Sequence, residues 1–397
     1  METNIDDDKA YYSAELLAWY RRGNRDLPWR RSKNPYYIWI SEIMLQQTRV
    51  ETVIPYFNRF VAQFPTVDAL ADAPEEEVLK AWEGLGYYSR ARNLQAAVRE
   101  VQESYGGVVP DEPEAIAQLK GVGPYTAGAI LSIAYDKPEP AVDGNVMRVL
   151  SRFFELEDDI AKPATRVRIE KLARELIPTE PGAAGDFNQG LMELGATVCT
   201  PRSPHCLVCP VMARCKARLA GRVDELPVKT KAKPPRPEAR AVALVAGSGP
   251  REGRLLIRQR PQDGLLARMW ELPHVALPAG AEPETTAAAA VPGRGRPKRA
   301  QAAPAAGRAA AEHDEAMAAL AAGLAEADGA RVLPERWLTD AEHTFSHIRW
   351  DLRVYRCTLL GDEEALPPDY RWLHPDERAR YAFPNVFLKL IADYFDR

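Results

Sequence analysis

Hydrophobic residues recur every three to four positions along much of the first half of the chain, which is the spacing of an amphipathic helix. Such runs cover residues 53–64, 75–85 and 91–105, and proline or glycine separates them. The pattern predicts that residues 10–222 are almost entirely helical and that residues 1–222 form one domain.

The pattern changes after residue 222. Residues 223–238 contain four prolines and several basic residues, a composition typical of a solvated and fairly stiff linker. Alternating apolar residues then predict short strands, and an apolar run near the end predicts a closing helix. These elements are placed at residues 239–246, 254–260, 347–360 and 387–395. Residues 239–397 are therefore expected to form a second domain of the α+β class.

One stretch of the second half has too little apolar bulk to fold. Residues 276–311 are rich in alanine, proline, glycine and arginine, and we expect them to be disordered. An alanine-rich helix is predicted after them, over residues 313–327. Within residues 290–300 the sequence R-G-R-P is similar to an AT-hook, whose arginines enter a narrow minor groove, although a biased composition alone can produce it.

Length and charge narrow the class of protein. A chain of 397 residues is too long for one ordinary hydrophobic core and suggests two domains. The net charge of −4 does not indicate a nucleic-acid partner, which must be argued from local patches. No apolar run reaches the roughly 18 residues of a membrane span, and residues 1–9 lack the apolar stretch of a signal peptide. We therefore expect a cytoplasmic protein without membrane contact, whose cysteines are ligands or core residues instead of disulfides.

Four of the five cysteines lie close together, with the spacing C-x6-C-x2-C-x5-C. They are Cys199, Cys206, Cys209 and Cys215. Thiolates at this density indicate a metal centre, and a continuous loop of ligands favours an iron–sulfur cluster over structural zinc, which commonly uses two C-x2-C-like pairs. Zinc and disulfides remain the alternatives. The fifth cysteine, Cys357, lies in a predicted strand and is expected to be buried.

Two groups of basic residues are candidates for contact with phosphate, although such runs are often only solvated. One lies near the N-terminus, and the other belongs to the cysteine loop and its exit. The two groups are Arg21, Arg22, Arg25, Arg30, Arg31 and Lys33, and Arg202, Arg214, Lys216, Arg218 and Arg222.

The sequence L-K-G-V-G-P-Y-T at residues 119–126 lies between two predicted helices. Gly121 and Gly123 allow a tight turn and a close approach of the backbone, and Pro124 suits the first turn of a helix. Amide groups at that helix start can bind an anion. The segment is therefore either a simple turn between helices or a phosphate-binding hairpin.

Two carboxyl groups have apolar neighbours. Glu42 lies in S-E-I-M-L-Q-Q-T, and we place it early in an apolar helix, where burial would raise its pKa and suit a general acid. The alternative is an acid that is favoured there by the helix dipole. Asp143 precedes Gly144 and another apolar helix, which fits a helix cap, a catalytic carboxylate or both. One neutral and one ionised carboxyl group is the arrangement that hydrolysis of glycosidic bonds uses.

Four elements in this order identify a family. The motifs S-E-I-M-L-Q-Q-T, L-K-G-V-G-P-Y-T and V-D-G-N-V, followed by the cysteine spacing, resemble those of the helix-hairpin-helix DNA glycosylases that carry an iron–sulfur cluster. The resemblance covers nearly all of residues 10–222. It implies a multidomain protein with an all-α glycosylase half, a [4Fe-4S] cluster on the four cysteines, and double-stranded DNA as the partner.

Two further features favour the adenine glycosylases of the MutY type over the endonuclease III type. Tyr125 occupies the hairpin position where lyases of the second type have the lysine that forms a Schiff base, which a tyrosine cannot form. Residues 239–397 resemble the Nudix-like domain of the MutY type but lack the signature of active Nudix hydrolases. Phe345, Ser346 and His347 match the loop that reads 8-oxoguanine, where a serine hydroxyl can meet both the N7–H group and the C8 oxygen.

The resemblance implies a role for each matching residue. Glu42 is expected to protonate adenine at N7, and Asp143 to stabilise the cationic sugar or to attack it transiently. Asn145 and Tyr125 are expected to hold these groups in place. The residues expected to touch DNA are Arg30 at the adenine, Gln47, Thr48, Leu85 and Tyr87 near the lesion pair, Gly121 and Gly123 at a phosphate, and Phe345, Ser346 and His347 at 8-oxoguanine. The expected substrate is a duplex with an A·8-oxoguanine or A·G mispair, bound by a monomer associated with the nucleoid.

Three other functions remain open at the level of the sequence. An endonuclease III-like glycosylase and AP lyase is disfavoured by Tyr125 and by the Phe345–Ser346–His347 loop. A non-catalytic iron–sulfur DNA-binding protein is disfavoured because both Glu42 and Asp143 are present. A Nudix pyrophosphohydrolase with a helical appendage is disfavoured by the missing signature.

Overall fold

The chain divides into two compact units, Met1–Ala232 and Lys233–Arg397. The computed structural model describes residues 4–278, 306–361 and 366–396, so the AT-hook-like sequence lies outside the described residues. The division falls inside the segment that the composition identifies as a linker. No helix of the described chain combines the length and the apolar character that crossing a bilayer requires.

The first unit is helical, and none of its described residues forms a strand. Its helices are α1 (Ile5–Arg22), α2 (Pro35–Leu45), α3 (Val50–Gln63), α4 (Val67–Ala71), α5 (Glu75–Ala81), α6 (Ser89–Tyr105), α7 (Pro113–Gln118), α8 (Pro124–Tyr135), α9 (Gly144–Phe154), α10 (Pro163–Leu176), α11 (Ala183–Thr197) and α12 (Lys216–Leu219). Short 3-10 turns occur at Pro28–Arg30, Cys206–Val208 and Met212–Arg214.

The start of α2 corrects the predicted place of Glu42. The Asn34 side chain accepts hydrogen bonds from the backbone N–H groups of Tyr36 and Tyr37, and Pro35 occupies the first helical position. The helix therefore begins before the apolar run that suggested its start, and Glu42 lies in its last turn. The prediction of an early helical position is wrong, so the positive end of the helix dipole does not explain this acid.

The cysteine loop packs on the main apolar core of the first unit. α1, α9 and α11 contribute Leu16, Phe153 and Phe187 to this core, and each of these side chains is almost fully buried. Cys199 and Cys215 pack against the same core. The loop is therefore an integral part of the helical fold.

A close approach between α8 and the segment before α9 sets the position of Asp143. A Cβ atom at Gly128, in α8, would lie 2.1 Å from the carbonyl oxygen of Pro140. The chain can therefore pass directly over α8 only because residue 128 has no side chain. From α11, the Asn188 side chain accepts a hydrogen bond from the Ala141 N–H at 3.2 Å, which holds the same segment from the other side.

In its described residues, the second unit contains two sheets and two α-helices. Its elements are β1 (Arg236–Val245), β2 (Leu255–Gln259), β3 (Trp270–Glu271), β4 (His274–Ala276), α13 (Ala306–Asp328), β5 (Val332–Thr344), β6 (Ile348–Leu359), β7 (Tyr370–Leu373) and α14 (Asn385–Phe395). One sheet has the strand order β4-β1-β6-β5, with β1 and β6 parallel, and the other has the order β3-β2-β7. The buried side chains form two clusters, one that includes α14 and one that includes α13.

A buried ion-pair network lies in the core of the second unit. The carboxylate of Glu271 is fully buried and accepts hydrogen bonds at 2.7 Å from both Arg258 and Arg260. Burial alone would raise the pKa of Glu271, but His274 and the two arginines hold it well below its usual range. Phe387 of α14 stacks on the His274 ring at 5.4 Å. The network therefore joins β2, β3, β4 and α14.

The predicted elements of the second unit need three corrections. The helix that is predicted from residue 313 begins at Ala306, and Ala276 belongs to β4, so the expectation of disorder over residues 276–311 is wrong at both ends. Alanine has the highest helix propensity, which explains the longer helix. Strand β5 is not predicted, because its exposed charged residues hide the alternation of a strand that pairs with β6 over its whole length.

We predict that Gly128→Ala lowers the free energy of unfolding of the protein by about 1–3 kcal/mol or more, because the added methyl group must displace backbone. The measurement is chemical denaturation of Gly128→Ala, of a control variant and of the unsubstituted protein. Gly23→Ala is the matched control, because its φ of 179° is open to any residue and nothing lies within 4 Å of its Cβ position. Equal stability of the two variants would contradict the close contact.

Candidate active site

Glu42 is buried in the last turn of α2, with 4% of its surface exposed. The hydroxyl of Tyr125, in the first turn of α8, donates a hydrogen bond of 2.5 Å to Glu42 Oε2. Burial, together with the nearby charge of Asp143, raises the pKa of Glu42 to about 7, against the opposing effects of the Tyr125 hydrogen bond and the charge of Arg30. Glu42 can therefore hold a proton near neutral pH and release it in a reaction.

Asp143 is both a helix cap and a member of this site. Its Oδ1 accepts a hydrogen bond of 2.7 Å from the Val146 N–H, and its Oδ2 accepts one of 2.7 Å from Asn145 Nδ2. Burial raises the pKa of Asp143 above its ordinary value, while these hydrogen bonds and the charge of Arg148 lower it. Because more donors stabilise its charged form, Asp143 is the member of the pair that ionises first.

One cavity brings the two carboxyl groups together. It has a volume of about 160 Å3, and Glu42, Asp143, Asn145, Tyr125 and Thr48 are among its lining residues. The four residues that the sequence assigns to catalysis therefore share one space, although they come from α2, α8 and the start of α9.

Arg30 lines the same cavity, but a carboxylate already holds its guanidinium. Arg30 Nη2 donates to Glu193 Oε2 at 2.8 Å, and Arg25 binds the same carboxylate through two nitrogens. Burial raises the pKa of Glu193, but the hydrogen bonds and charges of the two arginines lower it below its ordinary value. Glu193 belongs to none of the motifs recognised in the sequence, but its carboxylate holds the Arg30 side chain at the cavity.

Much of the predicted basic surface is paired within the protein. Arg21 forms ion pairs with Glu180 and Asp186, and Arg31 with Asp26. In the cysteine loop and its exit, Arg214 and Lys216 lie near Asp8, and Arg222 binds Glu155, Glu157 and Glu225. The expectation that these groups are phosphate contacts is therefore weakened, because acids of the same unit neutralise them.

The predicted hairpin opens onto the site. Gly121 has a φ of +79°, and a Cβ there would lie 2.8 Å from the Cβ of Asn93, so this position requires glycine. Gly123 has a φ of −93° and open space beyond its Cα atom. A groove of about 600 Å3 runs past both glycines and Gln47 to Glu42 and Asp143. The hairpin amides and the two carboxyl groups are therefore reached from the same groove.

Gln47 and Tyr87 have the backbone conformation that glycine normally occupies. Their φ values are +59° and +49°, both are exposed, and each lies in a loop that follows a helical segment. A non-glycine residue in the left-handed region costs about 1–2 kcal/mol. Strain of this kind is concentrated at functional sites.

Leu85 lies just before Tyr87 and is buried, whereas Thr48 reaches the cavity.

Arg148 connects the site to the cysteine loop. Its guanidinium donates hydrogen bonds of 2.8 Å to Asn145 Oδ1, to the Gly195 carbonyl and to the Cys199 carbonyl. Arg148 belongs to none of the motifs recognised in the sequence. Its position three residues after Asn145 on α9 places both on one face of the helix, which is the signal that could have identified it.

The four cysteines line one small cavity, together with Arg152 and other residues of the loop. Burial, together with the charges of the three other cysteines, raises the pKa of Cys209 to about 12. Arg152 lies close enough to donate a hydrogen bond to Cys199 Sγ at 3.4 Å. Among the described residues, no three His, Cys, Asp or Glu side chains are grouped so that they could hold a single metal ion. The four thiols share one cavity.

In the second unit, Phe345, Ser346 and His347 form the turn between β5 and β6. The Phe345 N–H donates a hydrogen bond of 2.7 Å to the Ile348 carbonyl and closes the turn. The Phe345 ring packs edge-on against His343 at 4.5 Å and against the fully buried Trp350 at 4.9 Å. Ser346 and His347 are exposed at the tip of this anchored turn.

Comparison with known proteins agrees with this geometry. Residues 40–178 match the HhH-GPD superfamily of base excision DNA repair proteins, and residues 245–393 match the NUDIX domain. The solved structure of a thermostable thymine-DNA glycosylase has a TM-score of 0.50 and 30% sequence identity, and the match covers 54% of this chain and 99% of that chain. The predicted combination of a helix-hairpin-helix glycosylase fold and a Nudix-like domain is confirmed.

Characterised relatives define the family more narrowly. The adenine DNA glycosylase of Homo sapiens is 35% identical, over 96% of this chain and 74% of its own length. The enzyme of that name from Rattus norvegicus is 36% identical, over 98% of this chain and 78% of its own. The enzyme of that name from Arabidopsis thaliana is 39% identical, over 68% of this chain and 48% of its own. The chain belongs to the adenine DNA glycosylase family.

Proposed function

We propose that this chain, acting as a monomer, removes adenine that is paired with 8-oxoguanine or guanine in duplex DNA. The reaction is hydrolysis of the N-glycosidic bond, which starts base excision repair. The observation that carries the proposal is the buried pair of Glu42 and Asp143 in one cavity, with Glu42 protonated near neutral pH. Family membership supports adenine as the base that is released.

Glu42 acts as the general acid. The target adenosine must leave the base stack before its atoms can reach a buried carboxyl group. Glu42 then donates its proton to N7 of the adenine, and the electrons of the C1′–N9 bond move onto the base, which departs neutral. Tyr125 keeps the carboxyl group in its orientation through the hydrogen bond to Oε2.

Asp143 acts on the sugar. Loss of the base leaves positive charge on the sugar ring, and the ionised Asp143 stabilises this charge in a cavity that excludes most water. Water adds to C1′ and loses a proton, and this proton returns to the Glu42 carboxylate, which restores the starting protonation state. Asn145, held by Arg148, fixes the rotamer of Asp143 through a hydrogen bond of 2.7 Å.

Ser346 reads the base opposite the adenine. The N7 atom of guanine only accepts a hydrogen bond, whereas 8-oxoguanine has a hydrogen on N7 and an oxygen on C8. The Ser346 hydroxyl can accept from N7–H or donate to the C8 oxygen, so it distinguishes the two bases. The packing of Phe345 on Trp350 keeps this hydroxyl on a rigid turn.

The four cysteines hold a [4Fe-4S] cluster in this proposal. The helix-hairpin-helix glycosylase family and the four thiols around one cavity support it. The ligands also come from one continuous loop, whereas structural zinc commonly uses two C-x2-C-like pairs. When bound, the cluster would tie the 199–215 loop to the helical core. Arg152, beside Cys199, would stabilise the thiolate form of the ligand.

The role of Glu42 predicts how excision depends on pH. Because the acid is active only when protonated, the single-turnover rate at an A·8-oxoguanine pair should fall as the pH rises above about 7. Glu42→Gln should lose about 100-fold or more in this rate. The measurement is alkali-induced strand scission at the adenine, followed over a range of pH values.

Tyr125→Phe supplies a sharper test of the same pKa. The Tyr125 hydrogen bond lowers the pKa of Glu42, so its removal should move the falling limb to higher pH. Tyr135→Phe is the matched control, because that hydroxyl on the same helix binds the Val109 carbonyl away from the site. A limb that moves to lower pH, or that moves equally in both variants, would contradict the assignment.

Specificity should depend on one hydroxyl. We expect the unsubstituted protein to excise adenine faster from an A·8-oxoguanine than from an A·G duplex, and Ser346→Ala to lose about 1–3 kcal/mol of this preference. Thr344→Ala, which removes an exposed hydroxyl two residues away, should keep the preference. The proposal for Ser346 fails if its variant slows both substrates to the same extent.

The metal content can be determined directly. We expect the purified protein to contain iron and acid-labile sulfide, and Cys206→Ser to lose most of both. Cys357→Ala is the control, because that buried cysteine belongs to the second unit and should leave the iron content unchanged. If the unsubstituted protein contains zinc and no sulfide, the four cysteines hold a structural zinc ion and the cluster proposal is wrong.

A further inference from the structure

Arg90 occupies a place in the first unit to which neither the sequence motifs nor the mechanism assigns a role. It lies in the first turn of α6, and its side chain reaches the end of α2, which carries Glu42. Its guanidinium donates five hydrogen bonds of 2.6–3.3 Å, all to backbone carbonyl oxygens.

The two terminal nitrogens of Arg90 serve two different loops. Nη1 donates to the carbonyls of Ile43, Met44 and Gln46 at 2.6, 3.1 and 2.6 Å. These carbonyls belong to the last turn of α2 and to the residue just before Gln47. Nη2 donates to the carbonyls at positions 85 and 86 at 3.3 and 3.1 Å, directly before Tyr87. One planar group therefore fixes both loops with respect to each other.

Arg90 carries its charge without a carboxylate partner among the described residues, in a partly buried place. This burial lowers the pKa of Arg90 to about 10. Carbonyl oxygens at the negative end of the α2 dipole compensate the charge instead. The guanidinium also lies 5.6 Å from the centre of the Tyr87 ring and 5.5 Å from that of Trp82. A partly buried cation that only backbone carbonyls compensate is costly, which indicates that its geometry is needed.

We propose that Arg90 is a positioning residue that couples the loops of Gln47 and Tyr87 to the helix of Glu42. When these two exposed side chains enter the base stack, the same guanidinium holds the catalytic acid in register with them. The inference rests on the proposed function, because it assumes that Gln47 and Tyr87 contact the mispair.

The chain offers a matched pair of arginines for the test. Arg99 lies on the same helix and also binds only backbone carbonyls, those of Ala71 at 2.8 Å and Ala73 at 3.3 Å, but neither belongs to the two loops. Arg90→Lys keeps the charge, but its single nitrogen cannot serve both loops. Arg90→Gln removes the charge as well as the guanidinium. It provides a second variant in which no cation has to be accommodated at this place during folding.

The experiment measures unstacking and chemistry separately. Unstacking is followed by the fluorescence of 2-aminopurine in place of the target adenine, in a Glu42→Gln background that prevents excision. Chemistry is followed as the single-turnover rate on an A·8-oxoguanine duplex. We expect Arg90→Lys and Arg90→Gln to reduce the fluorescence change and to slow the rate by about 10- to 100-fold. Arg99→Lys should leave both unchanged.

A double-mutant cycle separates positioning from general stability. If Arg90 acts by presenting the tyrosine ring, Tyr87→Ala should cost less in the Arg90→Lys background than in the unsubstituted protein. Full additivity, an unchanged rate in both Arg90 variants, or an equal loss in Arg99→Lys would overturn the inference. Failure of the unsubstituted protein to excise adenine opposite 8-oxoguanine would instead contradict the proposed function, whatever the variants do.

Discussion

Two carboxyl groups share one buried cavity, where two carboxylates that are both charged would repel each other. The protein resolves this conflict by giving the two groups unequal surroundings. Asp143 receives a backbone N–H and an amide N–H, whereas the one donor to Glu42 that the structure places in the cavity is the Tyr125 hydroxyl. The unequal stabilisation of charge keeps a proton on Glu42 and gives the site its chemical direction.

The helical fold serves mainly to maintain this inequality. Glu42 and Asp143 lie about 100 residues apart in sequence, and close backbone contacts bring their helices together. Gly128 lets the segment before α9 cross α8, and Gly195 lets α11 approach Asn145, where a Cβ would lie 2.6 Å from the Asn145 Cβ. Small residues at crossings leave little freedom for the backbone. The position of the carboxyl groups is therefore determined by packing more than by the loops that carry the motifs.

The sequence predicts local features of the site better than its surroundings. The Asp143 cap could be predicted because a cap depends on neighbouring residues. The shared cavity could be predicted only from the family resemblance, because no spacing in the sequence indicates that Glu42 contacts Tyr125. The pairing of Arg21 with Glu180 and of Arg222 with Glu155 could not be predicted, because these acids are distant in sequence. Strand β5 was hidden for a similar reason, since pairing with β6 stabilises it despite its charged residues.

The left-handed backbone at Gln47 and Tyr87 has a consequence for how the protein meets DNA. A repair enzyme must inspect a very large excess of undamaged base pairs, and any loop that orders only on contact loses conformational entropy again at each of them. Here both tips already have their unusual conformation in the unbound protein. In the proposed mechanism, in which these two side chains contact the mispair, the entropy is already lost during folding, so each inspection would be brief. Strain that lowers the stability of the free protein would then shorten the search for damaged pairs.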